Sequence, residues 1–473
     1  MYFAGLNFTD MRHSSFARLA LATTIAFGVG VHVPGEPARA QSAAPTHRAG
    51  AKSDSGKSTA HHKVDLAAAK NLLANKHYSA AEPLYREALR QAPNSPELLT
   101  DLGIALQLEG KSSEAIYTFE QALRQKYRAI TYALLAEERC KTRDLDGARP
   151  MLARIISVRP IDKHSMSIVA PCYLDLDEPI EAVQAYTALL DDPDYPADLA
   201  TIQLAKAYLS SAQFFFKKLR AAKNGANYLS AIQAARDGQA RDARSAFTAA
   251  AAASPWFKPE LEFPQAVALW KQHTDDTALL YQLSVLSGEE SMQYVRLCND
   301  KYPDSPYLQQ LLADVLADQG RVDEAVASYE SLMQSHPDLP ELRYSLGMLY
   351  NKQQQWQKSL EVFKLQLAAN PQDERAAARI SEALLELQQY SELRAFLRAR
   401  VATPHTPLWA RLDLATAEQK LGNSAAAIAQ LLAAERDGST QTAVHYRLAR
   451  LYTMTGDSAN AAREKALFQK SSQ

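Results

Sequence analysis

Three carboxylates lie within one short run, Asp191, Asp192 and Asp194, and closely spaced carboxylates are ligands that a calcium ion prefers. A calcium-binding loop also needs a glycine and a terminal glutamate at a set spacing, and this run has neither. Pro193 inside the run is typical of a turn between helices. We therefore interpret the run as a solvated turn and predict no metal site in it.

General acid–base catalysis needs carboxylates and imidazoles that converge on one point, and residues 260–275 hold several of them. The candidates by proximity in sequence are Glu260, Glu262, His273 and Asp275. The sequence contains no HExxH zinc helix, GxSxG nucleophile elbow, Walker loop or GxGxxG dinucleotide motif. We therefore predict a protein that is not an enzyme and needs no cofactor. An enzyme or a small-ligand carrier with a site in residues 214–305 is the alternative.

The sequence has three cysteines, Cys140, Cys172 and Cys298, and an odd, low count is not a disulfide framework. Cys140 and Cys172 fall late in the first helices of two adjacent predicted repeats, so these two side chains are expected to be neighbours. Either they pair in an oxidising compartment or they are two small buried apolar side chains.

The first 40 residues are predicted to hold a secretory signal peptide. Arg12 and Arg18 form its positive segment, and residues 19–33 are almost entirely apolar. Ala38-Arg39-Ala40 is a typical cleavage site, and the apolar segment before it is too short to span a bilayer comfortably. We therefore expect an exported protein, periplasmic or secreted, without a membrane span in the mature chain; an uncleaved anchor is the alternative.

Residues 41–63 follow the predicted cleavage site and are rich in Ala, Ser, Thr, Lys and His. Such a segment buries too little apolar surface to fold, so we predict a disordered leader. His61 and His62 are adjacent in this leader and have no fixed geometry, so we predict no metal site there. Met1 precedes a stretch unlike a signal sequence, which makes Met11 a second candidate start.

The composition favours a large helical protein. The chain has 473 residues, of which 47% are hydrophobic, and only 17 are glycine. Its formal net charge is -1, whereas a protein that grips nucleic acid needs a basic surface. We therefore expect no nucleic-acid partner.

A 34-residue period runs through the last third of the sequence. The twentieth place of each repeat, directly after a polar turn, recurs at Ala325, Ser359, Leu393, Ala427 and Ala461. The eighth place is small in every repeat: Ala313, Gly347, Ser381, Ala415 and Ala449. Large apolar residues such as Leu346, Tyr350 and Phe363 occupy the seventh, eleventh and twenty-fourth places. Two antiparallel helices per repeat explain this pattern, because small residues let the helix axes approach while large residues fill the space between them.

The same register extends toward the N-terminus, where the eighth and twentieth places are Ala69 and Ala81, Gly103 and Ala115, Ala136 and Ala148, and Ala170 and Ala182. Pro337 and Pro371 close two of the later repeats. The small eighth and twentieth places, the large packing residues and the closing proline resemble the tetratricopeptide-repeat family. The resemblance implies an all-α, right-handed solenoid of antiparallel helix pairs with about eleven repeats. It also implies a scaffold that binds proteins or peptides.

The period is disturbed in residues 214–305, which we predict to be an irregular joint between an N-terminal arm, 64–213, and a C-terminal arm, 306–473. Here we expect a shortened repeat whose second helix holds Phe214 to Phe216, and a later pair of helices at 278–286 and 291–301. The aromatic run is either an exposed shelf for a partner or packing that fills an irregular gap. This layout resembles secreted tetratricopeptide proteins of soil bacteria, which implies a role in the cell envelope.

First helices of stacked repeats line the concave face, and the C-terminal arm presents residue types that dominate binding energy at interfaces. The predicted partner-binding groove residues are Tyr307, Gln310, Asp314, Tyr344, Met348, Asn351, Lys352, Arg375, Trp409, Lys420, Tyr446 and Arg450. Their mixed charge suits an extended peptide or a helix laid along the groove. The function predicted from the sequence is a non-catalytic protein- or peptide-binding scaffold or adaptor in the bacterial cell envelope.

Overall fold

The computed structural model describes residues 65–75, 77–160, 162–223, 225–226, 228–229, 248, 252, 254–339, 341–371, 373–401, 406–436 and 442–471. The predicted signal peptide and leader lie outside these residues, as does most of the segment around residues 230–247. Throughout the described part the secondary structure is helical, with no strand. Among these helices, none has both the length and the apolar character that crossing a bilayer requires.

Eight short helices form the regular N-terminal pairs: α1 Leu66–Ala74, α2 Tyr78–Gln91, α3 Pro96–Leu108, α4 Ser112–Gln125, α5 Ala129–Lys141, α6 Leu145–Ser157, α7 Lys163–Asp175 and α8 Pro179–Leu189. The next three described helices are α9 Ala197–Ala221, α10 Phe263–Gln272 and α11 Thr277–Lys301. Ten helices complete the chain: α12 Pro306–Asp318, α13 Val322–Ser335, α14 Leu342–Lys352, α15 Trp356–Ala369, α16 Glu374–Glu386, α17 Tyr390–Val401, α18 Leu408–Lys420, α19 Ser424–Arg436, α20 Thr442–Thr455 and α21 Ser458–Ser471. The prediction of an all-α solenoid of helix pairs is confirmed.

The chain divides into two compact units, Met1–Leu308 and Gln309–Gln473. The division falls inside α12, three residues after its start. In the first unit, small residues such as Ala69, Ala81 and Ala105 are fully buried between helices. In the second unit, the buried residues form successive clusters that follow the helix pairs.

Close packing within a helix pair depends on the eighth place, as two glycines show. A Cβ atom on Gly103 would lie 2.4 Å from Cε1 of Phe119, and one on Gly347 would lie 2.7 Å from Cζ of Phe363. Both phenylalanines are fully buried and stand at the twenty-fourth place of their repeats. The aromatic ring of the second helix therefore occupies the space that a side chain on the first helix would need.

The turns between the paired helices repeat one backbone conformation. Glycines with positive φ occupy this turn at Gly110, Gly320, Gly422 and Gly456. In four other repeats a non-glycine residue adopts the same left-handed conformation, at Arg143, Asp177, Gln354 and Gln388. From Gly320 onward these positions are 34 residues apart, so the register persists where the sequence has no glycine to mark it.

Two helices in the first unit differ from the sequence-based prediction. We expected a turn before Phe214 and another between residues 286 and 291, yet α9 and α11 each run for 25 residues without interruption. The boundary proposed at residue 214 therefore lies within a continuous helix. Ser287 and Gly288 stay helical in α11, and the Ser287 hydroxyl donates to the Leu283 carbonyl of its own helix at 2.5 Å. Neither interruption carries a proline that would force the helix to end.

A regularly spaced set of hydrogen bonds joins α9 to α11. The donors Ser284, Ser291 and Cys298 lie seven residues apart on α11. Their acceptors are the backbone carbonyl oxygens of Ala212, Ala205 and Asp198, at 3.4, 2.8 and 4.0 Å respectively. The acceptors also step by seven residues, in the opposite direction, so the two helices are antiparallel with a heptad register at their contact. Short side chains at these places let the backbones approach closely.

Replacing Ser291 with alanine is expected to lower the free energy of unfolding of the first unit by about 0.5–1.5 kcal/mol. The buried Ser291 hydroxyl makes a bond between helices, and alanine removes that bond by deleting a single oxygen atom. Chemical denaturation would measure the change. Ser287→Ala is the matched control in the same helix, because its hydroxyl bonds only within α11; an equal loss in both variants would contradict the role assigned to Ser291.

Candidate partner-binding surface

All twelve predicted groove residues lie on first helices of the C-terminal pairs. Tyr307, Gln310 and Asp314 are on α12; Tyr344, Met348, Asn351 and Lys352 on α14; Arg375 on α16; Trp409 and Lys420 on α18; and Tyr446 and Arg450 on α20. Tyr307 belongs to the first unit, where it is half-buried and where burial and the charge of Asp198 raise its pKa. The other eleven belong to the second unit.

Asp314 is not available at the surface, contrary to the prediction. Its side chain is 4% exposed, and one carboxylate oxygen accepts a hydrogen bond from the hydroxyl of Tyr329 on the paired helix α13. Tyr329 is itself 1% exposed, so the bond joins the two helices of one repeat. The tyrosine at the twenty-fourth place thus explains why this position is buried.

Glu341, Tyr344 and Arg375 form one cluster between α14 and α16. The guanidinium of Arg375 donates two hydrogen bonds to the carboxylate of Glu341, at 2.8 and 3.0 Å. It also lies over the ring of Tyr344, 4.6 Å from the centroid. Two bonds and a stacked ring hold a guanidinium in one orientation. This arrangement presents an ordered, partly exposed aromatic and charged patch.

Polar bonds between neighbouring first helices continue along the same surface. The side chain of Asn351 donates to Glu382 at 3.5 Å, and the hydroxyl of Ser381 donates to Asp413 at 2.8 Å. Burial raises the pKa of Asp413, while the hydrogen bond from Ser381 acts in the opposite direction. Arg447 donates to the backbone carbonyl of Leu412 at 2.9 Å. Some predicted groove residues, Asn351 among them, therefore also hold adjacent repeats together.

The remaining predicted residues differ in how much surface they present. Tyr344, Met348 and Trp409 are half-buried and pack against the buried cluster around Phe363. The exposed members of the set are Lys352, Arg375, Lys420, Tyr446 and Arg450. A partner would therefore contact only the exposed edges of Tyr344, Met348 and Trp409, but the whole side chains of the five exposed residues.

Tyr446, Arg450 and Met454 form a stripe on α20, four residues apart along one face of the helix. Tyr446 is 52% exposed and Met454 60% exposed, so two large apolar side chains face solvent along one side of the same helix. The sequence-based prediction included the first two and missed Met454. Continuing the spacing of four residues one step beyond Arg450 would have identified it.

Two family models described as tetratricopeptide repeat match the chain. One matches residues 72–138 and 316–384, and the other matches residues 412–467. The chain carries tetratricopeptide repeats. Eight of the twelve predicted groove residues lie within the matched segments; Tyr307, Gln310, Asp314 and Trp409 lie outside them.

Two solved structures are similar to this tetratricopeptide-repeat chain. One is a tetratricopeptide repeat protein from Parabacteroides merdae, 14% identical, with a TM-score of 0.39, covering 67% of this chain and 97% of its own. The other is the APC/C hetero-tetramer Cut9–Hcn1, 15% identical, with a TM-score of 0.30, covering 85% of this chain and 92% of its own. At these TM-scores, neither structure supports a conclusion about the geometry or the function of this chain. No curated protein matches the chain.

Two of the four acid–base candidates near residues 260–275, Glu262 and His273, make local contacts. Glu262 caps the start of α10, where its backbone N–H donates to the side chain of Gln265 at 3.0 Å. The ring of His273 stacks on Trp256, with centroids 3.9 Å apart. Glu260 and Asp275 are exposed.

The aromatic run at residues 214–216 is part of α9, and its Phe214 and Phe215 contact Trp270 of α10. Phe215 is fully buried and lies edge-to-face on Trp270, with ring centroids 5.1 Å apart, and on Phe263 at 6.4 Å. Phe214 is half-buried, and the ammonium of Lys218 lies 4.9 Å from the centre of its ring. For Phe215 the structure therefore favours the packing interpretation over an exposed shelf.

Cys140 and Cys172 are neighbours across α5 and α7. Both are buried free thiols, and the Cys140 sulfur lies 3.9 Å from the carbonyl oxygen of Cys172. Contact with Cys140 and burial raise the pKa of the Cys172 thiol. Their proximity was predicted from the repeat register. Whether they pair in an oxidising compartment stays a prediction, and mass mapping without reductant tests it.

One cluster of functional side chains was missed by the sequence-based prediction, which named no metal ligand. Glu435, His445 and Glu464 converge from α19, α20 and α21 in the last tetratricopeptide repeats. Their spacings match no metal-binding motif, because the three residues meet only through helix packing. None of the three stands at a repeat place that the sequence pattern marks as buried, so the sequence carried no signal for this cluster.

Proposed function

We propose that this chain is an exported, non-catalytic scaffold of the bacterial cell envelope that binds a protein or peptide along the first helices of its second unit. Tetratricopeptide repeats are protein-interaction scaffolds, and their extended surfaces suit this use. The predicted signal peptide supports export. The observation that carries the choice of surface is the exposed stripe of Tyr446, Arg450 and Met454 on α20.

The stripe has the chemistry of a binding hot spot. Tyrosine and arginine are enriched among residues that contribute most to interface energy, and methionine adapts to apolar surfaces of different shape. Tyr446 is steadied by the ring of Phe468, 5.6 Å away between centroids, and the amide nitrogen of Gln419 lies 3.5 Å from the sulfur of Met454. Side chains held in place lose less entropy when a partner binds.

The patch around Arg375 is a second contact for an extended ligand on the same first helices. Its guanidinium is already neutralised by Glu341, so it offers a flat stacked surface more than a free positive charge. Exposed Lys352 and Lys420 supply positive charge on the helices before and after it. A peptide with acidic and apolar residues interleaved therefore fits this arrangement best.

The non-catalytic assignment rests on how the acid–base candidates are used. Glu262 and His273 are engaged as a helix cap and as a stacking partner of Trp256. An enzyme or a small-ligand carrier with a site in residues 214–305 is the alternative from the sequence, and no contact among the described residues of that segment favours it.

The triple change Tyr446→Ala, Arg450→Glu and Met454→Ala is expected to abolish at least about nine tenths of partner capture, a loss of roughly 1.4 kcal/mol or more. The side chains are exposed, so the fold is expected to persist. Crosslinking mass spectrometry in the native host first identifies proteins bound to the wild-type chain. Capture of those same proteins by the variant then gives the result.

Leu365→Ala with Lys364→Ala is the matched control on α15, a second helix. Leu365 is 56% exposed and Lys364 is half-exposed, so the change removes a similar mixture of apolar and charged surface. Circular dichroism should show native helix content in both variants. If the α20 variant and the control capture the same proteins in equal amount, the α20 surface is not the binding site.

A further inference from the structure

The side chains of Glu435, His445 and Glu464 meet in the last repeats of the second unit. Nδ1 of His445 lies 2.9 Å from Oε2 of Glu464 and 3.2 Å from Oε1 of Glu435. One ligand atom from each residue lies within 4.8 Å of both others. These residues come from three successive helices, α19, α20 and α21.

The cluster is buried and its parts are held in place. Glu464 is fully buried, His445 is 8% exposed, and the Glu435 side chain is 24% exposed. Arg463 donates two hydrogen bonds to Oε1 of Glu464, at 2.6 and 3.0 Å, which leaves Oε2 directed at the imidazole. Carboxylates that bind a metal usually accept a hydrogen bond of this kind from a neighbouring residue, which fixes their orientation toward the ion.

The cluster directs lone pairs from three side chains at one point, where a cation can bind, while Arg463 balances the charge of Glu464 at its other oxygen. Two carboxylates directed at one imidazole nitrogen repel each other, and burial strengthens the repulsion. A proton on Nδ1 supplies one hydrogen for two acceptors. A divalent ion instead accepts a lone pair from all three groups at once.

We propose that Glu435, His445 and Glu464 bind a divalent transition-metal ion, with Zn²⁺ as the representative. Zinc–ligand bonds of about 2 Å place the ligand atoms of a tetrahedral site about 3.3 Å apart. The two separations from Nδ1, 2.9 and 3.2 Å, are already close to that value. The third separation, between the two carboxylate oxygens, lies within 4.8 Å, so side-chain rotation can complete the site.

The donor set selects among metals. One imidazole nitrogen and two carboxylate oxygens suit Zn²⁺ and its neighbours in the transition series, whereas Ca²⁺ needs six to eight oxygen ligands and Mg²⁺ keeps most of its waters. Three protein ligands leave one position of the zinc ion for water. Because the ligands join α19, α20 and α21, the bound ion ties the last helix pair to the preceding repeat.

The test uses the full chain and Zn²⁺ alone, added after treatment with a chelator. Calorimetry should show one more bound zinc equivalent in the wild type than in His445→Gln or Glu435→Gln. Heating should show a zinc-dependent rise in the melting temperature that both variants lose, because an ion that binds only the folded state stabilises it. Co²⁺ in place of Zn²⁺ should give a visible absorption spectrum that is lost in the same variants.

Glu435→Gln is the variant least expected to unfold the protein, because Glu435 is the most exposed of the three ligands and the glutamine amide has the same shape as the carboxylate. The matched control is His336→Gln, an exposed histidine of the same unit whose Nδ1 lies 2.9 Å from the Ser335 hydroxyl. The control should bind as the wild type does. Equal zinc stoichiometry in the wild type and both ligand variants overturns the proposal, and so does equal stabilisation by Ca²⁺ and Zn²⁺.

Discussion

Replacing Phe363 with alanine is expected to lower the free energy of unfolding of α14 and α15 by about 3–5 kcal/mol. The ring is fully buried, lies against the backbone of Gly347 and contacts Tyr344 edge-to-face, with ring centroids 5.6 Å apart. Truncation leaves a cavity that the glycine cannot fill, because it has no side chain. Since Tyr344 belongs to the proposed binding surface, the variant is also expected to weaken partner capture.

Hydrogen exchange is the suitable measurement for Phe363→Ala, because neighbouring repeats can open separately and one global unfolding value would average them. The amides of α14 and α15 should lose protection while those of the first unit stay unchanged. Leu365→Ala is the matched control two residues away, where the side chain is 56% exposed and a change within about 0.5 kcal/mol is expected. Similar exchange in the two variants would refute the role given to Phe363.

The change Gly103→Ala is expected to destabilise the first unit by up to about 2 kcal/mol, although alanine is the better helix former. Helix propensity alone would add about 1 kcal/mol of stability. The new Cβ atom, however, would lie 2.4 and 2.6 Å from two ring atoms of Phe119, which is fully buried and has little room to move. Overpacking of this kind costs about 1–3 kcal/mol, and we expect it to exceed the gain.

Gly288→Ala is expected to change the free energy of unfolding in the opposite direction, and it serves as the control in the same unit. Gly288 lies within α11, and nothing stands within 4 Å of the Cβ atom that alanine would add. The propensity gain should therefore appear as added stability of up to about 1 kcal/mol in urea denaturation. Adding Phe119→Leu to Gly103→Ala should recover part of the loss by making room. If Gly103→Ala is as stabilising as Gly288→Ala, the close contact between the two helices is not what the structure indicates.

The interlocking of Gly103 with Phe119 and of Gly347 with Phe363 was predictable from sequence. Each pair is sixteen residues apart within one repeat, so both members belong to a single helix pair and a local register places them together. The left-handed turn at Gln354 and Gln388 follows from that register as well, although neither residue is a glycine.

The long helices α9 and α11 were not predicted. Extending the 34-residue rhythm into residues 197–301 placed turns in the middle of both. Serine and glycine have neutral or unfavourable helix propensity. Whether they mark the end of a helix or a close contact between two helices depends on the helix that packs against them. Here the hydroxyls of Ser284 and Ser291 meet carbonyls on the opposite helix, which makes small polar residues the right choice for a continuous helix.

The repeat architecture was thus determined by the sequence itself, because the 34-residue spacing of small and large side chains dictates how each helix pair packs. The first-helix position of the groove residues follows from the same spacing. Only the tertiary structure decided that Asp314 is buried beneath Tyr329, that Met454 completes an exposed stripe with Tyr446, and that Glu435, His445 and Glu464 converge. Exposure and convergence depend on side chains from other helices, whose distances in space a one-dimensional pattern does not contain.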